Sequence, residues 1–201
     1  QMLADANFDI RLRVLLPLVE NAIASDAFHP GDVLPSRKGI SVEIGNTDAE
    51  GRLILADALA EADDEKPDLL IDFSTLTGAA RVALGPELPA MYANDDAVAA
   101  DLQQIAMDEA DPLWRLPLWP AYADMLDSKI ADLNNAPGSG MGGSITAALF
   151  LQRFVTQSKR WVHLDLYGWN NRHRPGRPEG AEAQTLRAVY RLIESRYGKK
   201  K

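Results

Sequence analysis

Cysteine is absent from these 201 residues. Its absence excludes disulfides, thiolate metal sites and thiolate nucleophiles, and it fits a reducing compartment. Histidine is scarce. His29, His163 and His173 stand apart, with no H-x-x-x-H pair to hold a metal. No run reaches the roughly 18 consecutive apolar residues of a transmembrane helix, and the first residues lack the charged-then-apolar layout of a secretory signal. Positive charge is also short. Lys and Arg total 21 against 29 Asp and Glu, a net charge of −8. Such a surface repels phosphate backbones, so neither nucleic acid nor a membrane is expected as a partner. The remaining composition, 46% hydrophobic and 25% charged, is that of a globular chain able to bury its own core.

Apolar periodicity alternates between short β-rich runs and longer helical ones. Residues 11–19 (RLRVLLPLV) read as a buried strand, and 41–44 (SVEI) alternate and are expected to pair with 32–34 across the Arg37-Lys38-Gly39 turn. Helical spacing covers 52–64, 95–111 (capped by Asn94 or Asp95), 144–155 and 180–197. Strands are expected at 68–73, 90–92, 129–133 and 161–167, with a glycine loop at 134–143. Such alternation predicts an α/β fold with three layers, a mainly parallel mixed sheet lying between helices.

Three constellations could carry chemistry. The octet Asn46 to Leu53 (NTDAEGRL) places Asp48 and Glu50 two residues apart, then Gly51 and Arg52, between a strand and a helix. Ligands in α/β sheets gather at the carboxyl ends of strands. Carboxylate oxygens suit divalent metals, and an arginine can grip a planar anion with two parallel bonds. The same residues also satisfy a purely structural pattern, because Thr47-x-x-Glu50 is a capping box. An EF-hand reading, with Asn46, Asp48, Glu50, Gly51 and Asp57 in ligand positions, fails because a strand and not a helix precedes the octet.

A second stretch contains Gly138, Gly140 and Gly143 in the order G-x-G-x-x-G, and Asp165 follows about 20 residues later, as in a dinucleotide-binding fingerprint. Asn134 to Pro137 separate the preceding strand from the glycines, where that fingerprint needs an immediate turn. A dinucleotide-binding oxidoreductase is therefore the weaker reading. The third stretch is Ser74-Thr75-Leu76-Thr77-Gly78, small and hydroxylated, at a strand end. It can line a pocket or cap a helix. The basic segment 172–177 (RHRPGR) reads as a solvated loop, or as a patch for an acidic partner.

The octet NTDAEGRL resembles the signature of the leucyl (cytosol) aminopeptidase family, two-metal exopeptidases. Further resemblances follow in order at 14–21 (VLLPLVEN), 29–34 (HPGDVL), 74–79 (STLTGA), 142–148 (GGSITAA) and 163–165 (HLD). The resemblance implies a zinc-exopeptidase-like fold and removal of N-terminal residues from peptides. It implies Asp48 and Glu50 as ligands of two divalent ions (Mn or Zn), with Glu50 bridging, and Arg52 as the holder of a bicarbonate or equivalent anion acting as general base. It implies Thr75, Leu76 and Gly78 as the lining of the substrate cleft, a homo-hexamer and a cytoplasmic location.

Two features depart from the family pattern. Upstream motifs supplying a lysine and two aspartates to the metals, and a second lysine, have no match in the first 19 residues. Since Gln1 is not an initiator, residues 1–201 are expected to be the C-terminal portion of a catalytic domain whose upstream segment lies elsewhere in the same protein, inactive without it. An inactive assembly subunit of the same fold is the alternative from a non-enzyme class. Bulky Tyr167 and Trp169 also stand where many members carry small residues, which leaves leucine preference open.

Overall fold

The computed structural model describes residues 2–19 and 27–198. After a one-turn helix α1 (Met2–Asp5), the alternating segment forms β2 (Ser41–Glu43). It pairs antiparallel with β1 (Val33–Pro35) in the register Val33↔Glu43, as the turn at Gly39 dictates. A short β6 (Leu133–Asn134) adds in parallel on the other side of β2.

The main sheet has the order β3-β7-β4-β5, built from β3 (Leu70–Ser74), β4 (Ala90–Ala93), β5 (Trp114–Arg115) and β7 (Trp161–Asp165). Strands β3 and β7 run parallel, as do β4 and β5, while β4 and β7 are antiparallel. The α/β class and the mixed pairing are thus both present.

Alternation along β7 sorts its side chains to two faces. Val162 and Leu164, with Met91 and Ala93 of β4, pack against α4 (Asp96–Asp108) and α6 (Leu186–Tyr197) through Leu102, Ala106 and Leu192. Trp161 faces the other way, toward α2 (Glu50–Asp64) and α5 (Gly143–Gln152), where it meets Leu59, Phe150 and Phe154. The rings of Phe150 and Phe154 lie 5.3 Å apart in a tilted pair. Truncating either would cost about 3–5 kcal/mol through lost burial and the cavity left behind.

This second face also holds a polar row. Asp72, His163 and Tyr92 are register partners across β3, β7 and β4. Asp72 accepts from the Trp161 indole N–H (2.8 Å) and meets His163 Nδ1 at 2.6 Å, while Tyr92 donates to Ser144 Oγ (2.7 Å). His163 is wholly buried, and its Nε2 has no hydrogen-bond partner.

Three element expectations are corrected. Residues 11–19 form no strand. Leu12, Val14, Leu16 and Leu18 are exposed, the last by 87%, and the segment is tied down through Arg11 and Arg13 to Glu61 and Glu65. Its β-rich composition describes a surface that suits pairing, but a strand also needs a partner for its backbone groups. Residues 20 and 21 of that motif lie outside the described residues. The strand expected at 129–133 shrinks to Leu133–Asn134, because Ser128 Oγ accepts from the Ile130 and Ala131 N–H groups and turns the chain. The last helix starts at Leu186, not at 180, since Gly180–Ala181 (β9) pairs with Trp169–Asn170 (β8) and Thr185 adopts a left-handed conformation.

The basic segment 172–177 is satisfied internally. Arg174 pairs with Glu87 (2.7 Å) and Glu182 (3.0 Å), and Arg177 donates to the Ala110 carbonyl (2.6 Å).

Candidate metal and substrate site

The end of β2 delivers the chain to Gly45, where a side chain cannot be accommodated: a Cβ there would lie 2.3 Å from Asn134 Oδ1. Fully buried Asn135 clamps the same turn. Its Oδ1 accepts from the N–H groups of Gly45 (2.8 Å) and Asn46 (3.0 Å), and its Nδ2 donates to the Asn46 carbonyl (2.7 Å). Asn46 in turn accepts from the Asp48 N–H (2.9 Å) and starts a 3₁₀ turn over Thr47–Ala49.

That extra turn moves the start of α2 to Glu50. Its N-cap is Ala49, with no side-chain cap bond. The capping box of Thr47 and Glu50 therefore does not form, and Glu50 is released from the structural role its spacing allowed. Asp48 is exposed, while Glu50 is half-buried, with Oε2 shielded from solvent and without a hydrogen-bond partner. A buried acceptor left unpartnered costs about 1–3 kcal/mol, and an incoming ligand relieves that cost.

Two residues further on, Arg52 is 9% exposed. Its Nη1 donates to the Asn135 carbonyl (2.6 Å), and its Nε has no partner. Burial pulls the Arg52 pKa down, and the Asp165 carboxylate opposes that shift. Among the described residues no carboxylate lies within ion-pair distance of Arg52. A buried cation with an open donor is a seat for an anion.

The third element is the loop after β3. Asp165, at the end of β7 and in register with Ser74, accepts from the N–H groups of Leu76 (2.9 Å) and Thr77 (3.2 Å) and from Thr77 Oγ1 (2.6 Å). Thr77 Oγ1 also accepts from the Ala80 N–H (3.0 Å), so Thr77 caps α3 (Gly78–Leu84). Thr75 and Gly78 are exposed and Leu76 is half-buried.

The octet and this loop adjoin. A Cβ built on Gly51 would sit 3.9 Å from Leu76 Cδ1, in ordinary contact. The sequence-predicted residues Asp48, Glu50 and Arg52 therefore share one end of the fold with Thr75, Leu76 and Gly78. Tyr167 stays close to that end. Its ring lies 5.4 Å under the Arg81 guanidinium, and a Cβ on neighbouring Gly168 would be 3.7 Å from Thr75 Oγ1. Trp169 turns away into the β8–β9 hairpin and is about half exposed.

The dinucleotide reading loses its acid, because Asp165 is spent on the chain's own donors. The glycine loop plays a packing part instead. Gly142 is left-handed (φ +66°) at the start of α5, where a Cβ would press within 3.3 Å of the Tyr122 ring. Asp57 accepts from the Arg37 N–H (2.9 Å) on the helix, which removes the last calcium-loop position. Sequence reasoning missed Asn135, which organises both the turn before Asp48 and the guanidinium of Arg52. The only signal was an Asn-Asn pair separated by one residue from a proline, in Asn134-Asn135-Ala136-Pro137. Two carboxylates are the right donors for a divalent ion but an incomplete set, and no cluster of three or more His, Cys, Asp or Glu forms among the described residues.

Fold and site together place the chain among α/β proteins that gather acidic residues and a buried arginine at one end of their strands. The profile of the cytosol aminopeptidase family, catalytic domain, matches residues 1–190, and the chain belongs to that family. It is 44% identical over 186 residues to a "Probable cytosol aminopeptidase" of Parasynechococcus marenigrum, covering 92% of this chain and 38% of that protein. A relative of the same description from Chlorobium phaeobacteroides is 46% identical over 168 residues, 82% of this chain and 33% of its own length. The crystal structure of the cytosol aminopeptidase from Coxiella burnetii superposes with a TM-score of 0.85 at 56% identity, over 89% of this chain and 39% of that one. The bottromycin maturation enzyme BotP, solved in complex with Mn, gives 0.80 at 34% identity, over 85% and 39%. The chain thus spans about 38% of the length of the first of these curated relatives.

Proposed function

We propose that this chain carries part of the active site of a metal-dependent aminopeptidase that removes N-terminal residues from peptides. The observation that carries the reading is the shielded, unpartnered Oε2 of Glu50, two residues before a buried arginine with an open donor. In this reading Asp48 and Glu50 hold divalent ions (Mn or Zn). The remaining ligands come from sequence of the same protein beyond the 201 residues, since two carboxylates cannot complete a two-metal set. Bound there, the ions would polarise the scissile carbonyl and lower the pKa of water toward neutrality.

The chain's own residues do the rest. Arg52 holds bicarbonate or an equivalent anion in a position to take a proton from the attacking water. The backbone of Thr75, Leu76 and Gly78 lines the cleft and orients the peptide. Tyr167 borders that cleft and narrows the room for the N-terminal side chain. A homo-hexamer and a cytoplasmic location belong to the same proposal. Among the described residues no helix is long and apolar enough to cross a membrane.

The test is Mn²⁺- or Zn²⁺-dependent hydrolysis of a leucyl anilide by the purified protein, with its intact mass measured alongside. Activity that disappears in Glu50→Ala supports the reading. A protein that takes up no metal and hydrolyses nothing would favour the inactive assembly subunit.

A further inference from the structure

We infer that Asp165 is the positioning residue of the substrate loop: its buried carboxylate holds the backbone of Leu76 and Thr77 so that the 75–78 segment presents a fixed surface beside Glu50 and Arg52. The inference rests on the aminopeptidase reading and deepens it, because it assigns the loop's geometry to a residue outside the loop.

A loop that binds a peptide through backbone groups must keep those groups pointed outward, and so it has few internal bonds of its own. Here the inward-facing donors, the N–H groups of Leu76 and Thr77, both go to Asp165 Oδ1, and the Thr77 hydroxyl goes to Oδ2. Asp165 is 2% exposed and lies on β7, which is paired on both sides. It is therefore as rigid a post as the fold offers, and charge-assisted bonds to it are stronger than neutral ones. The Leu166 N–H adds a backbone bond to the Ser74 carbonyl (2.8 Å), which fixes the loop's entry.

The loop held by this carboxylate borders the octet. Leu76 adjoins Gly51, so the loop that Asp165 holds lies directly against it. An asparagine would keep one acceptor oxygen for the Leu76 and Thr77 N–H groups and turn its amide toward Thr77 Oγ1, so the bonds persist but lose the carboxylate's charge. It would loosen the loop without emptying the space.

The experiment compares wild type, Asp165→Asn and Thr77→Val in the purified, Mn²⁺-loaded protein, following leucyl anilide hydrolysis and amide hydrogen exchange. For Asp165→Asn we expect KM to rise about tenfold with kcat changed much less, the mark of lost ground-state orientation. Exchange at Leu76 and Thr77 should quicken by a similar factor while the β7 amides stay protected. Thr77→Val, which removes the hydroxyl contact to Asp165 and the cap bond from the Ala80 N–H but keeps both backbone N–H contacts to Asp165, should shift KM in the same direction by less. If KM stays put and exchange quickens along all of β7, Asp165 is a sheet brace only and the inference is overturned. A wild-type protein that carries the upstream ligand-bearing segment and still lacks peptidase activity overturns the aminopeptidase reading itself, and the inference with it.

Discussion

Two sets of carboxylates in this molecule behave in opposite ways. Asp63, Asp111 and Asp165 are buried and consumed by the chain's own donors. Asp63 takes the N–H groups of Thr156, Gln157 and Ser158, and Asp111 those of Thr185, Arg187 and Ala188. Asp48 and Glu50, at the mouth of α2, accept nothing from the protein that satisfies Glu50 Oε2. In the proposed reading, the contrast separates braces from ligands. A brace is placed where backbone donors converge on it, whereas a ligand is held in a turn whose own donors have been satisfied elsewhere, here by Asn46 and Asn135.

Substitutions can break this contrast. The largest effect should come from Glu50→Ala, which we expect to reduce peptidase activity by about a thousandfold or more while leaving the melting temperature within a few degrees of wild type, as calorimetry and an anilide assay would show. If Glu50 were a brace, the melting temperature would fall with the activity. Asp63→Ala should do the reverse. It strands three backbone donors, and we expect a loss of about 3 kcal/mol in urea unfolding, with little effect on activity per folded molecule.

The pH dependence sharpens the point. Burial raises the Asp63 pKa, but the backbone N–H groups of Thr156, Gln157 and Ser158 outweigh it and hold the value below its ordinary 3.8. Its folded pKa being depressed, Asp63 contributes stability that is fully present above that ordinary value and lost as pH falls through the folded one. Asp63→Asn should therefore flatten the acid limb of a stability-against-pH curve. A curve that keeps its slope would show that other groups govern acid unfolding. The smallest effect belongs to the surface. Arg11 is ion-paired to Glu65 at 3.1 Å but is 86% exposed, and Arg11→Ala should change stability by less than about 0.5 kcal/mol.

Legibility in the sequence followed the range of the interaction. The hairpin at 33–43, the α2, α4 and α5 helices, and β3, β4 and β7 were readable because alternation, helical spacing and the Asp95 cap are local features. Residues 11–19 were misread, since composition reports a side chain's fit to a sheet but not whether a partner strand is there. In the octet, spacing could not separate a capping box from a ligand pair. One 3₁₀ turn that shifted the helix start past Thr47 removed the capping box.

From its composition and patterning alone, this chain is an acidic, thiol-free α/β protein with an Asp-x-Glu-x-Arg mouth between a strand and a helix, because those properties depend on residue identity and short spacing. Tertiary structure decided which carboxylates remain free. Asp165 looked like a ligand residue and became a brace, Glu50 looked like a cap and became an open acceptor, and Asn135 rose from a loop filler to the clamp of the site. Each outcome depends on donors contributed from scores of positions away, and only the packed chain brings those donors within hydrogen-bonding distance.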